Sequence, residues 1–198
     1  MKLKAAVLGA AIMLLAMGAA SAGTFRFGPM GGGTFPTGDF SDVAATGWNG
    51  GATGTYSVND QWGLGADVVY HAWSGSDDAN AAAEFLYGPG SEVKFSAIQA
   101  TAHAAWMMPV QGNVKPFAKF GVGLYNLGSK LTSPSGDSDD SQSKVGFNFG
   151  AGFNMLSSSN MSWGVSGAYH IVPAQDDFGV DVNMFTVSAN LMWSMASQ

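Results

Sequence analysis

The chain has 198 residues, a formal net charge of −6 and no cysteine. The lack of cysteine excludes a disulfide scaffold, a thiolate nucleophile and a thiolate metal site. Charged residues make up only 11% of the chain, well below the roughly 25% of soluble domains, so the composition argues against an ordinary soluble protein.

Residues 1–22 have the layout of a secretory signal peptide. Two lysines precede an apolar run at residues 5–17, and the small residues at 20–22 match an A-x-A cleavage site. A permanent transmembrane anchor is the alternative, because the apolar run approaches the length that spans a bilayer. The small residues favour cleavage. We therefore expect an exported mature chain, residues 23–198, that forms one domain.

Apolar residues alternate with small or polar ones along the mature chain, which is the period of a β-strand. Residues 145–155 show this clearly, because an apolar residue occupies every odd position and Gly or Asn every even one. The pattern predicts eight strands, at residues 24–34, 47–56, 62–73, 93–108, 114–130, 144–156, 161–172 and 182–195.

The composition of the two strand faces predicts which one meets lipid. A soluble barrel such as a lipocalin would turn a face rich in Lys and Glu to water, whereas the second face here is Gly, Ser, Asn and Thr. That face suits the inside of a narrow tube, so we expect Phe147, Phe149 and Phe153 to face lipid. A closed barrel is the alternative to helices for crossing a bilayer. The predicted fold is an all-β, eight-stranded antiparallel up-and-down transmembrane β-barrel; an exported soluble sandwich is the alternative.

The connections between the strands alternate between short and long. All acidic residues except Asp60 and Asp67 lie in the long connections. Outer-membrane barrels have short periplasmic turns and longer external loops, so we expect both termini in the periplasm and the acidic loops outside the cell. The short connections are residues 57–61, 108–113 and 157–160, and the long ones are 35–46, 74–92, 131–143 and 173–181.

Aromatic residues cluster at the ends of the predicted strands that lie next to the short turns. Amphipathic rings prefer the membrane–water interface, so these residues predict one interfacial girdle. Trp48 and Tyr70 are candidates for the opposite girdle. The girdle residues are Tyr56, Trp62, Trp106, Trp163 and Trp193.

Four segments resemble the small outer-membrane β-barrel family, which includes the OmpA-like and opacity-protein transmembrane domains. They are "GTFPTGDFSD", "YSVNDQWGLGADVVYH", "VKPFAKFGVGLYNLG" and "FGAGFN". The resemblance implies an integral outer-membrane protein that contacts lipid, lipopolysaccharide and the assembly machinery. Members often end in an aromatic residue that this machinery recognises, whereas this chain ends Trp193-Ser-Met-Ala-Ser-Gln198. Either Trp193 serves from an internal position or the last strand is recognised differently.

Five ionisable residues are predicted to form a lumenal ionic cluster. Asp67, His103 and Lys119 each lie about five residues from a short turn on three consecutive strands, so they should share a face and a depth. Lys115 and Arg26 lie nearer the turn end. A buried charge without a partner is costly, so we expect Asp67 to pair with Lys119 or Arg26 and to close the lumen.

Lysines at the other end of the strands predict a contact with lipopolysaccharide. Lys94, Lys130 and Lys144 lie beside the long connections, where an ammonium group can meet lipid phosphates. Ordinary snorkelling at an interface explains the same positions.

No residue pattern predicts a metal, a cofactor, catalysis or a nucleic-acid partner. Three histidines, His71, His103 and His170, fall on the predicted lumenal face, where a lone histidine is more often a hydrogen-bonded filler. The sharper alternative is a lipid hydrolase at the barrel rim that uses His71, Ser74 and an acid, although a triad depends on geometry. We therefore expect a non-catalytic protein with a plugged lumen and a structural or surface-interaction role. A narrow OmpW-like channel for small or apolar molecules is the main alternative.

Overall fold

The computed structural model describes residues 23–158, 160–174 and 179–196, and the predicted signal peptide lies outside them. Eight antiparallel strands form a closed barrel in which each strand pairs with its neighbours in sequence and β1 pairs with β8. The predicted eight-stranded up-and-down barrel is confirmed. Its strands are β1 (Thr24–Thr37), β2 (Gly47–Ser57), β3 (Trp62–Ser74), β4 (Glu92–Met107), β5 (Val114–Thr132), β6 (Ser138–Leu156), β7 (Met161–Val172) and β8 (Val182–Ala196).

The strand bounds agree closely with the predicted segments, except at the start of β6. This strand begins at Ser138, where a loop through residue 143 was predicted. Lys130 is the register partner of Asp139, so the β5–β6 hairpin continues and its loop shrinks to residues 133–137. The prediction of a long loop was wrong because Ser and Asp, which disfavour strands, dominate this stretch. Backbone pairing with β5 overrides their preference.

Two helices in the long connections were not predicted. Helix α1 (Phe40–Val43) follows β1, and helix α2 (Asp77–Tyr87) follows β3. The Ser76 hydroxyl caps α2 by accepting a hydrogen bond from the Ala79 N–H at 3.2 Å. Gly88, with φ at 103°, ends it. Of the helices in the described residues, none has the length and hydropathy needed to cross a membrane.

The two faces of each strand differ as predicted. On β6, the Phe149 side chain is 51% exposed on the outer wall, whereas its neighbour Asn148 is 1% exposed inside the barrel. Asn148 pairs with Gly121 on β5 and His170 on β7, so the lumenal face continues from strand to strand. The core of this protein is therefore the filled lumen.

The two ends of the barrel are built differently. We call the end with connections 58–61, 108–113 and 157–160 the turn end, and the opposite end the loop end. At the loop end, Ala44 and Gly75 form an isolated β-bridge, and the Ser76 N–H donates to the Val43 carbonyl at 2.9 Å. These bonds join the first two long connections and hold α1 beside the barrel mouth.

Candidate functional site

An ionic layer crosses the lumen on strands β2 to β5. The Asp67 carboxylate is buried, and its Oδ2 lies 2.8 Å from the Lys119 Nζ. His103 Nδ1 lies 3.3 Å from the same oxygen. The Thr53 hydroxyl donates to Oδ1 at 2.7 Å. The structure therefore brings together Asp67, His103 and Lys119, and of the two partners considered for Asp67 it is Lys119 that forms the ion pair.

The other two members of the predicted cluster lie elsewhere. The Lys115 Nζ donates to the Val110 carbonyl at 2.7 Å, so its inclusion in the cluster was wrong. Lys115 lies close to the 108–113 turn, and its flexible stem reaches the turn backbone. Arg26 points into the lumen nearer the turn end, where it lines a separate cavity. No ion pair joins Arg26 to Asp67 in the described residues.

A second polar layer lies nearer the loop end and contains two of the three histidines. His71 Nε2 lies 3.0 Å from the Gln99 Oε1, and His170 Nδ1 lies 3.0 Å from the Tyr125 hydroxyl oxygen. The two imidazole rings meet edge to face with centroids 5.7 Å apart. Each histidine is thus a hydrogen-bonded filler of the lumen. The network extends to Thr101, Asn148 and Thr186.

An apolar cluster, which we call the plug, packs at the loop end of the lumen. Phe40 of α1 has no exposed surface, and its ring lies 5.3 Å from that of Trp73 and 5.6 Å from that of Phe95. The plug therefore combines residues from the barrel wall with Phe40 of a connecting helix and with Ala44 and Ala174 of the connections. Its buried members are Phe40, Ala44, Trp73, Ala97, Tyr125, Leu127, Val172, Ala174, Val182 and Met184.

Two small cavities remain inside the barrel. One of about 60 Å³ lies on the turn side of the ionic layer and is lined by Arg26, Ser57 and His103, among others. The other, of about 20 Å³, lies between the ionic and histidine layers and is lined by Asp67 and His71. Lys119 lines both cavities, so its ion pair with Asp67 lies between them.

A groove of about 560 Å³ lies on the outer wall at the loop end. Its lining includes Trp48 and Tyr70, with ring centroids 5.7 Å apart. It also includes Lys94 and Lys130, which are register partners on β4 and β5. The groove therefore presents aromatic rings, two ammonium groups and the carboxylates of Asp139 and Asp140 on one surface. Lys144 does not line it, so the three predicted rim lysines do not form one site.

Both groove lysines have carboxylate partners within the chain. The Lys94 Nζ lies 3.0 Å from the Glu92 Oε2, and the Lys130 Nζ lies 2.9 Å from the Asp137 Oδ2. All four side chains are about half exposed. An anionic ligand would therefore share or replace these weak pairs.

Four of the five predicted girdle residues are exposed on the outer wall at the turn end. Trp62 and Trp106 are register partners on β3 and β4, and Trp163 and Trp193 are exposed on β7 and β8. Tyr56 differs, since only 9% of its surface is exposed. Gly23, at the start of the described chain, lies close to its ring.

The residues of the rim hydrolase alternative are separated by the strand itself. His71 is buried in the lumen, whereas Ser74 is exposed on the opposite face of β3. Neighbouring odd and even positions of a strand point to opposite faces. These two residues therefore do not form a nucleophile–base pair.

Two contributors to lumen closure were missed by the sequence analysis. Tyr125 had a usable signal, because it is a large side chain at a lumenal position of a strand whose neighbouring lumenal position, residue 123, is glycine. The sequence signal for Phe40 was weaker, since Phe40 is only a single large apolar residue among Gly, Asp and Ser. Only the folded chain shows that Phe40 reaches the barrel mouth.

The barrel is similar to several solved outer-membrane structures at low sequence identity. The Neisserial surface protein A structure matches with a TM-score of 0.58 and 16% identity, over 87% of this chain and 97% of that one. Ail from Yersinia pestis, in complex with the heparin analogue sucrose octasulfate, matches at 0.54 and 18%, over 88% and 100%. OprG from Pseudomonas aeruginosa matches at 0.50 and 14%, over 89% and 97%. These likenesses show the fold.

The family is shown by sequence. No curated protein matches the chain. The model of the outer membrane protein β-barrel domain matches residues 7–192, which cover nearly the whole chain, from β1 into β8. The protein therefore belongs to the outer membrane protein β-barrel domain family and is a bacterial outer-membrane barrel.

Proposed function

We propose that the protein is a non-catalytic component of the outer membrane whose lumen is plugged by side chains and whose loop end has a structural or surface-interaction role. The observation that carries this proposal is that side chains fill the described lumen at three successive levels. These are the ionic layer around Asp67, the layer of His71 and His170, and the apolar plug around Phe40.

A narrow channel is the rival function, and the lumen argues against it. A channel needs a continuous passage, whereas the cavities of about 60 and 20 Å³ are separated by the Asp67–Lys119 pair. The plug then blocks the exit at the loop end. Catalysis has no support at the rim either, because His71 and Ser74 lie on opposite faces of β3.

The topology that we propose places the turn end in the periplasm and the loop end outside the cell. Both termini of the described barrel lie at the turn end, where Thr24 pairs with Ala196. The longer connections, with α1 and α2, lie at the other end. This arrangement follows the rule for outer-membrane barrels.

The loop end offers an acidic surface with an apolar tip. Phe85 is 90% exposed at the end of α2, and Leu86 beside it is also exposed. Asp77, Asp78 and Glu84 lie on the same helix. Such a surface suits a partner that has basic groups around an apolar patch. The ligand in the Ail structure is sulfated, so it would bind a basic surface. It therefore does not indicate a ligand for this acidic surface.

The outer-wall groove supports a contact with lipopolysaccharide. Lys94 and Lys130 can each meet a phosphate as a point charge, and Trp48 lies in the same groove at the predicted interface. The nearby carboxylates, including Glu92 and Asp137, limit the strength of a direct contact.

Single-channel recording in planar bilayers tests the plugged lumen. The purified barrel should give no stable stepwise conductance, because each level of the lumen is filled. Stable steps in the wild-type protein would overturn the proposal. The Asp60→Ala variant, altered in an exposed turn, is the control and should behave as the wild type does.

Proteolysis of intact cells tests the proposed topology. Added proteinase K should cut in connection 75–91 or 133–137 and should spare the turn at residues 58–61. Cuts confined to the short turns would show that the orientation is reversed.

A further inference from the structure

Arg26 carries a lumenal charge for which the described residues provide no ion-pair partner. It lies on β1 between Thr55 on β2 and Ser194 on β8. Its Nε atom is buried and has no hydrogen-bond partner in the described residues. Arg26 is partly buried, and desolvation of a cation whose Nε has no partner favours an anion beside it.

The nearest lumenal carboxylate cannot supply that charge. Asp67 already accepts from Thr53 and Lys119, and it contacts His103. Its two oxygens therefore already have partners, and they lie on the loop side of the 60 Å³ cavity. No carboxylate lines this cavity among the described residues.

The cavity around Arg26 has the groups that bind a small oxyanion. Arg26 and Lys119 line it and can donate N–H bonds, whereas the two ring nitrogens of His103 already face Asp67 and the Thr55 hydroxyl. The hydroxyl of Ser57 is a further donor. The planar guanidinium fork matches a carboxylate or phosphate with two parallel hydrogen bonds. About 60 Å³ holds several water-sized spheres of roughly 10–15 Å³ each, so the space suits a ligand of a few atoms.

Two asparagine side chains complete the lining. Asn154 and Asn190 both line the cavity, and the Oδ1 of each is buried without a hydrogen-bond partner in the described residues. Rotation of either amide by half a turn replaces this oxygen by the Nδ2 donor. Each amide therefore offers a ligand one polar atom that has no hydrogen-bond partner within the described barrel.

We propose that this chamber, formed around Arg26 at the turn end, is a binding site for a small oxyanion of the phosphate or carboxylate class. The guanidinium of Arg26 is its main ligand, and Lys119 adds positive charge on the loop side. The ligand enters from the turn end, because the lining includes Ser57, next to the 58–61 turn. This site lies on the turn side of the ionic layer. The proposal does not depend on whether the lumen conducts ions.

Isothermal titration of the folded barrel in detergent micelles tests the site, with inorganic phosphate and acetate as separate probes. Sodium chloride at matched ionic strength and pH is the reference. Wild-type protein should show saturable binding of at least one probe, and the probe that binds identifies the source as phosphate or carboxylate. Arg26→Gln should weaken that binding at least tenfold. Lys115→Gln is the matched control, because Lys115 lies at the same end but donates to Val110 outside the chamber.

Three outcomes would overturn the site. They are no saturable binding of either probe to the wild type, equal affinity in Arg26→Gln, or an equal loss in Lys115→Gln. Arg26→Lys provides a second test if Arg26→Gln does not fold, because it keeps the positive charge. This variant should bind several-fold more weakly, since an ammonium group replaces the two parallel donors, and unchanged affinity would contradict the role of the guanidinium.

Discussion

The lumen is filled in two chemically different ways on its turn side and at its loop end. Near the turns, the Asp67–Lys119 ion pair and the His103 ring fill the tube with polar contacts. At the loop end, Phe40 and Trp73 fill it with aromatic surface. The polar layer is built only from strands, whereas the apolar plug needs a helix from a connection. The same barrel thus combines a closure fixed by strand register with one fixed by loop packing.

Asp67→Ala tests the polar closure and should have the largest effect. The substitution leaves Lys119 charged without a carboxylate in a largely buried position. We expect a loss of up to about 3–5 kcal/mol in the free energy of unfolding, because removing one partner of a buried pair leaves the other charge buried without a partner. Urea unfolding in lipid vesicles measures this. The double variant Asp67→Ala, Lys119→Met should recover most of the loss, and no recovery would contradict the assignment.

Phe40→Ala tests the apolar closure. Phe40 is fully buried against Trp73 and Phe95. We expect a loss of about 3 kcal/mol, at the low end for Phe→Ala in cores, because a barrel mouth can relax around the void. Phe85→Ala is the control, since that ring is exposed on α2, and it should leave the unfolding midpoint unchanged. Equal effects of the two substitutions would remove Phe40 from the plug.

Phe149→Arg tests the lipid wall that surrounds both closures. The side chain is exposed near the middle of β6. A charge at the bilayer midplane costs about 2–4 kcal/mol, and this cost falls to about 0–1 near the interfaces. Val145→Arg on the same face is therefore the matched control, because Val145 ends the outward apolar run on the loop side, where Ser143 and Ser141 follow. Asn148 is not suitable as a control, because it is buried and bonded to Tyr125. Equal costs at positions 149 and 145 would contradict the membrane position of the strand.

The two closures also differ in how far they follow from sequence. The Asp67–Lys119 pair was predictable because strand alternation fixes the face and the distance from a turn fixes the depth. Phe40 was not, because no local pattern shows that a residue in a connection packs on Trp73 and Phe95. Lys115 was assigned wrongly for a related reason, since its strand position does not determine where a flexible side chain ends.

Replacement of both groove lysines should have the smallest effect on stability and a selective effect on binding. Lys94 and Lys130 form exposed ion pairs with Glu92 and Asp137, and exposed pairs contribute little to folding. The double variant Lys94→Gln, Lys130→Gln should therefore keep the wild-type unfolding midpoint. Its affinity for purified lipopolysaccharide should nevertheless fall several-fold, because both ammonium groups line one groove. Lys144→Gln is the control, since Lys144 lies outside that groove, and it should change the affinity less. An equal loss in the control would mean that the contact depends on overall charge, and no loss in the double variant would assign both lysines to interfacial snorkelling.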